Sequence, residues 1–183
     1  MTDELFVRNC APTLAGIKTG SLFTCPFSSQ QEVSENIRAW NRRFVPRGLR
    51  VLSMRYSGTR ALIYVYRPDF LKYDLSDEMA SNLLRRKGYS SQNADHYVIE
   101  LMHRLREDEE FPHEIGLFLG YPPVDVCGFI DNKACGYKCV GCWKVYGDEE
   151  AARKTFASYK QCTKDYCARW RQGTTIEQLI AAG

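Results

Sequence analysis

Residues 49–67 read LRVLSMRYSGTRALIYVYR, and this stretch decides the fold. Apolar and polar side chains alternate along 49–56 and again along 60–67, and Ser57-Gly58-Thr59 lies between them. Two alternating segments joined by a three-residue, glycine-containing loop predict a β-hairpin. On the second segment Arg60, Leu62, Tyr64 and Tyr66 share one face, because successive side chains point to opposite sides of a strand. Other elements must cover the apolar part of that face.

Upstream, Ser29 and Glu32 have the spacing of a capping box. Val33, Ile37, Trp40 and Phe44 then recur at helical spacing, and Pro46-Arg47-Gly48 ends the predicted helix. The preceding stretch, CAPTLAGIKTGSLFTCPF (10–27), is rich in Gly, Pro, Ser and Thr. It reads as turns, with short strand pieces around 14–17 and 22–24.

Downstream, residues 76–87 read as a helix stopped by Gly88, and 92–106 as a second helix with a stronger pattern. FPHEIGLFLGYPPVDVCGFIDNK (111–133) reads as two short helices hinged at Gly120-Tyr121-Pro122-Pro123, since glycine can close one helix and proline can open the next. Residues 142–146 suit a strand. Asp148 then caps a long helix with Glu149 and Glu150 in its first turn; Gly173 ends it, and Thr174 begins a short terminal helix. The expected architecture is a single α+β domain over residues 1–183, with a small antiparallel sheet that includes the hairpin and five or more helices packed on it.

The composition fits. In 183 residues, 44% are apolar, 26% charged and 13% aromatic. A chain of this size buries roughly 70% of its unfolded surface, so its core needs neither disulfide nor metal. No apolar run is long enough to cross a membrane. The opening MTDELFVRNC carries acids where a signal peptide needs basic and then apolar residues, so a cytoplasmic protein is expected, without a membrane partner. A net charge of +3 does not by itself point to nucleic acid.

Eight cysteines are the anomaly: Cys10, Cys25, Cys127, Cys135, Cys139, Cys142, Cys162 and Cys167. In a reducing compartment they are packing residues, metal ligands or redox groups rather than disulfides. The densest group is Cys135-Gly-Tyr-Lys-Cys139-Val-Gly-Cys142. Its spacing is that of the cluster-binding loop of radical S-adenosylmethionine enzymes, but those need a large barrel after the motif, and only 41 residues follow here. What remains is that three thiolates on a glycine-containing loop can converge on one zinc or iron ion, iron–sulfur included. Cys162, with Cys127 or His113 as alternatives, would supply a fourth ligand. The expected ligand set is Cys135, Cys139, Cys142, Cys162 and His113.

Two further patterns carry chemistry. Between Asn36 and Pro68 stand eight arginines (38, 42, 43, 47, 50, 55, 60 and 67) and no acid, with Trp40, Tyr56, Tyr64 and Tyr66 among them. Arginine forks match phosphate and carboxylate, and aromatic faces can stack bases, so Arg50, Arg55, Arg60 and Tyr64 are the expected anion site. His113 and Glu114, at a helix start, could act as acid and base or as ligands. By contrast, His96, Glu100, His103 and Glu107 lie on one side of their helix, opposite Val98, Leu101, Met102 and Leu105, and read as a solvated face.

The strings CAPTLAGIKTGSLF, FPHEIGLFLGYPPVDVCGFI and CWKVYGDEEAARKTFASYKQC resemble those of an uncharacterised family, a domain of unknown function, from anaerobic and mostly Gram-positive bacteria. The resemblance covers nearly the whole chain. It implies a single cytosolic domain and brings no assigned activity or cofactor. Within the matching strings the residues able to hold chemistry are Cys10, Lys18, His113, Glu114, Cys142, Trp143, Lys144 and Cys162. The leading expectation is a metal- or redox-linked protein. Its alternatives are an enzyme or binding protein for a small anionic metabolite, and, less favoured, a nucleic-acid-binding module.

Overall fold

The computed structural model describes residues 2–90, 93–107 and 110–181. At its centre is a three-stranded antiparallel sheet of β1 (Gly20–Pro26), β2 (Arg50–Ser57) and β3 (Arg60–Tyr66), in the order β1-β3-β2. β2 and β3 form the predicted hairpin, closed one residue tighter than expected. Ser57 pairs with Arg60, and Gly58 takes a φ of +55° that suits a residue without Cβ. The register slips between Ser53 and Arg55, a bulge that places Met54 fully in the core.

Because β3 is central, both its faces are covered. Ala61, Ile63 and Val65 meet Phe6, Cys10, Leu14, Trp40 and Phe44 from α1 (Asp3–Leu14) and α2 (Gln30–Phe44). Tyr64 and Tyr66, on the opposite face, meet residues of α3 (Pro68–Leu75), α4 (Glu78–Arg86), α5 (Ala94–Glu107), α6 (Ile115–Phe118) and α7 (Pro123–Asp131). A second sheet is a minimal hairpin of β4 (Cys139–Val140) and β5 (Lys144–Val145). It leads into α8 (Glu149–Arg171), and α9 (Ile176–Leu179) closes the described chain. The fold is thus α+β, as expected. Among the described residues no helix is long and apolar enough to cross a membrane.

Several local expectations hold for their stated reasons. The Ser29 hydroxyl accepts from the Glu32 amide at 3.1 Å, while the Glu32 carboxylate reaches back to the Ser28 amide. Asp148 accepts from the Ala151 amide at the start of α8. Gly120, with φ +75°, separates α6 from α7. The expected helix start at Gln92 lies outside the described residues.

Two expectations fail. Residues 3–14 form a helix, α1, although the Gly- and Pro-rich composition nearby suggested turns. Pro12 in the last turn forgoes one helical hydrogen bond, a loss outweighed by the continuous helical face that Phe6, Val7, Cys10, Ala11 and Leu14 bury. After it, β1 runs unbroken from Gly20 to Pro26 instead of forming short pieces, because β3 supplies its hydrogen-bond ladder. On α8 the face of Phe156, Tyr159, Thr163, Tyr166 and Trp170 is half buried, and only Ala152 is fully buried. The helix lies over α1 as an outer layer and leaves a cleft beside it.

Candidate functional site in the cleft between the first and eighth helices

The loop from α7 to α8 is positioned by one carboxylate. Asp125, buried in the first turn of α7, accepts from the amides of Tyr146 and Gly147, both at 2.7 Å, and from the Trp143 indole at 2.6 Å. Gly141 lets the loop close, since a Cβ there would stand 2.2 Å from the Phe156 ring. Trp143 is thereby fixed between Tyr121, stacked at 4.8 Å, and Phe156, edge-on at 4.6 Å. This aromatic wall separates two concavities.

On one side lies a cleft of about 850 Å³ between α1 and α8. Arg8, Lys18, Lys160, Lys164 and Arg171 line it, against a single acid, Glu4. Lys18 leaves the end of α1, and its ammonium sits 5.4 Å from the ring centre of Tyr121 and 5.8 Å from that of Tyr159. Cys142 lines the same cleft. Burial pulls the Lys18 pKa below its ordinary value, opposed by the neighbouring Cys142 and Cys10 thiols. Desolvation pushes the Cys142 thiol up, opposed by Lys18. Tyr121 and Tyr159 are each pushed up to about 12, chiefly by burial and then by Cys142. Every shift therefore favours the uncharged form, as expected where water is partly excluded.

On the other side of Trp143 is a smaller apolar pocket of about 170 Å³, walled by Ile115, Tyr121, Val126 and Phe129 and edged by His113 and Lys144. His113 is otherwise exposed and leans on the Phe129 ring at 5.0 Å. Lys144 donates to the Ala134 carbonyl at 2.8 Å. Glu114, next to His113, turns into the core and accepts from the Tyr89 hydroxyl at 3.2 Å, so the two do not form an acid–base pair in one pocket.

The expected metal set is not assembled. All eight cysteines are free thiols, and among the described residues no three His, Cys, Asp or Glu side chains come together as a metal-binding group. Cys135 is exposed in the turn after α7, Cys139 is buried on β4, and Cys142 faces the cleft. Cys162 lies along α8, where burial and Asp165 push its thiol up to about 11. The β4–β5 pairing is the physical reason. It commits Cys139 to a backbone ladder opposite Val145, with Cys135 before the ladder and Cys142 in the turn that closes it.

The arginine-rich hairpin does not form one pocket either. Arg50 and Arg60 stand at opposite ends of the paired strands, opposite Tyr66 and Ser57 respectively, some 20 Å apart at about 3.3 Å per residue. Arg50 pairs with Asp95 at 3.4 Å, and Arg60 donates to Thr24 across β1. Arg55 is exposed. Tyr64 is fully buried, stacked on Tyr66 and donating to the Phe118 carbonyl at 2.5 Å. Arg43 is committed to Asp3 and Glu177. Arg67 is buried, and its guanidinium donates to the carbonyls of Thr13, Leu14 and Ala181.

Of the residues singled out by the family strings, Cys10, Lys18 and Cys142 are thus neighbours, while His113 and Lys144 flank the second pocket. Cys10 is fully buried on α1, and burial drives its thiol far above the ordinary range. Reading the sequence missed Asp125, Tyr121 and Tyr159, along with the basic lining of the cleft. One signal for the lining was present: Lys160, Lys164 and Arg171 fall on one helical stripe.

A family model described as a protein of unknown function, DUF3793, matches residues 6–180. No curated protein and no solved structure matches the chain.

Proposed function

The chain belongs to the DUF3793 family, proteins of unknown function, so its role must be argued from its own residues, and we propose that it binds a small anionic molecule in the cleft between α1 and α8. One observation carries this reading: five cationic side chains and one acid line a single concavity of about 850 Å³. Clefts of several hundred Å³ suit small ligands. A site lined by one sign of charge also raises the local concentration of the opposite ion. The rings of Phe156, Tyr159 and Trp170 give the ligand an apolar surface beside the cations. The thiol of Cys142 and the amine of Lys18 then stand at the end where a ligand would be held.

Calorimetric titration with inorganic pyrophosphate and with citrate tests it. Arg8, Lys160, Lys164 and Arg171 are exposed, so replacing all four by Gln leaves the core untouched. Saturable binding by the native chain, weakened by salt and lost in the fourfold variant, is expected. Absence of binding, or equal binding by the variant, contradicts the proposal.

A further inference from the structure

We infer that Lys18 forms a reversible imine with the carbonyl carbon of a small anionic aldehyde or ketone held in the α1–α8 cleft, an inference that rests on the anion-binding reading above. A half-buried ammonium is ordinarily paired or hydrogen-bonded. Lys144, also half buried, follows that rule and donates to the Ala134 carbonyl. Among the described residues no carboxylate lies within ion-pair distance of Lys18. Its Nζ instead meets the faces of Tyr121 and Tyr159, with the Cys142 and Cys10 thiols close enough to act on its charge.

Such a setting gives a nucleophilic amine. Desolvation favours the neutral form of lysine, and the fraction of free amine grows about tenfold for each unit by which the pKa falls. The neighbouring cations Arg8, Lys160, Lys164 and Arg171 supply the complement to a carboxylate or phosphate on the same molecule, which would hold its carbonyl near Nζ. The step balances without an oxidant or reductant. The Nζ lone pair attacks the carbonyl carbon, and the π pair moves to oxygen, which takes a proton that the nitrogen gives up. The resulting carbinolamine expels its hydroxyl as water together with the second amine hydrogen, leaving the C=N bond. Water reverses the reaction.

Reductive trapping tests this on the native chain. The protein is incubated near neutral pH with sodium cyanoborohydride and one of three aldehydes: glyoxylate, glycolaldehyde phosphate, or uncharged glycolaldehyde. Labelled lysines are then located by peptide mass mapping. Lys18 is expected to be labelled at least about tenfold faster than any other lysine by one or both anionic aldehydes. Which of the two reacts faster identifies carboxylate or phosphate as the anionic group. Replacing Arg8, Lys160, Lys164 and Arg171 by Gln is expected to remove the advantage of the anionic aldehydes over glycolaldehyde, and Lys18→Arg to remove the fast site. Labelling of Lys18 no faster than that of the surface lysines by all three aldehydes overturns the inference. If pyrophosphate or citrate still binds in that event, the anion-binding reading survives it. Fast labelling of Lys18 that is indifferent to charge, with no binding of either anion, upholds the amine chemistry and overturns the anionic class of substrate. The labelling ratio among lysines is internal to the native protein and does not depend on any variant folding.

Discussion

Around the central sheet Phe6, Leu14, Phe44, Met54, Ile63, Leu83 and Phe118 are all essentially sealed from solvent, and their cores fill both faces of β3. The region from β4 through the start of α8 buries only Cys139, Val145 and Ala152, with Trp143 and Phe156 half covered. The hydroxyl of Tyr146 in that region is buried without a hydrogen-bond partner. The first region is held by apolar packing, the second by one carboxylate, Asp125, and a stacked aromatic wall. The groups with chemical potential stand at the seam between them: Lys18 belongs to the first region, and Cys142 and Tyr159 to the second. A seam between a rigid body and a lightly held arm can exclude water partly and still admit a ligand, which a sealed core cannot do.

The largest effect is expected from Arg67→Leu, which strips the partner from the carbonyls of Thr13, Leu14 and Ala181 in the sealed region. Urea denaturation should show a loss of about 3 kcal/mol in global stability, since buried groups deprived of charged hydrogen bonds cost a few kcal/mol. A loss under about 1 kcal/mol would mean that water replaces the guanidinium and that this region is less sealed than described.

Next comes Asp125→Ala. It removes the acceptor for Trp143, Tyr146 and Gly147. The cost is expected to be about 2 kcal/mol and local, appearing as faster hydrogen exchange at the Tyr146 and Gly147 amides while the amides of β3 keep their protection. Equal loss of protection in β3 would show that arm and sheet open together and would erase the distinction between them.

The smallest effect sharpens the seam itself. The Lys18 pKa is lower in the folded chain than the ordinary 10.5. The unfolded chain therefore binds more protons at Lys18 in the interval between the two values, and stability attributable to this residue rises with pH across it. Below the folded value Lys18 costs stability, and above 10.5 the cost vanishes. In denaturation from pH 7 upward, the native chain should gain on Lys18→Met as pH approaches 10.5, by under about 1 kcal/mol for a group only half buried. A constant difference between the two proteins would place Lys18 in bulk solvent.

How much of this was legible in the sequence follows the same division. The hairpin, the cap at Ser29, the hinge at Gly120 and the cap at Asp148 depend on neighbours within a few residues, so alternation and spacing were enough to find them. α1 was hidden because Pro12 and the nearby glycines suggested turns, although Phe6, Cys10 and Leu14 already carried helical spacing. The site depended on tertiary placement. Lys18 and Cys142 were both marked by the family strings, but 124 residues separate them and only the packing of α8 over α1 makes them neighbours. Asp125 gave no sign at all, since its partners are two backbone amides and one indole brought in by a distant turn. The cysteine spacing left the loop's conformation open for a related reason. Thiol spacing fits either a metal loop or a β-turn, and the β4–β5 hydrogen bonds decided for the turn.

The account depends on Lys18 and Cys142 being electrostatic neighbours in one cleft, and the alkylation of Cys142 by iodoacetamide reads that contact directly. Its rate follows the thiolate fraction, and the Lys18 ammonium lowers the pKa of that thiol. Followed by mass mapping across a pH series, with labelling normalised to exposed Cys135, the midpoint for Cys142 is expected to move to higher pH in Lys18→Met. An unchanged Cys142 midpoint would contradict the account.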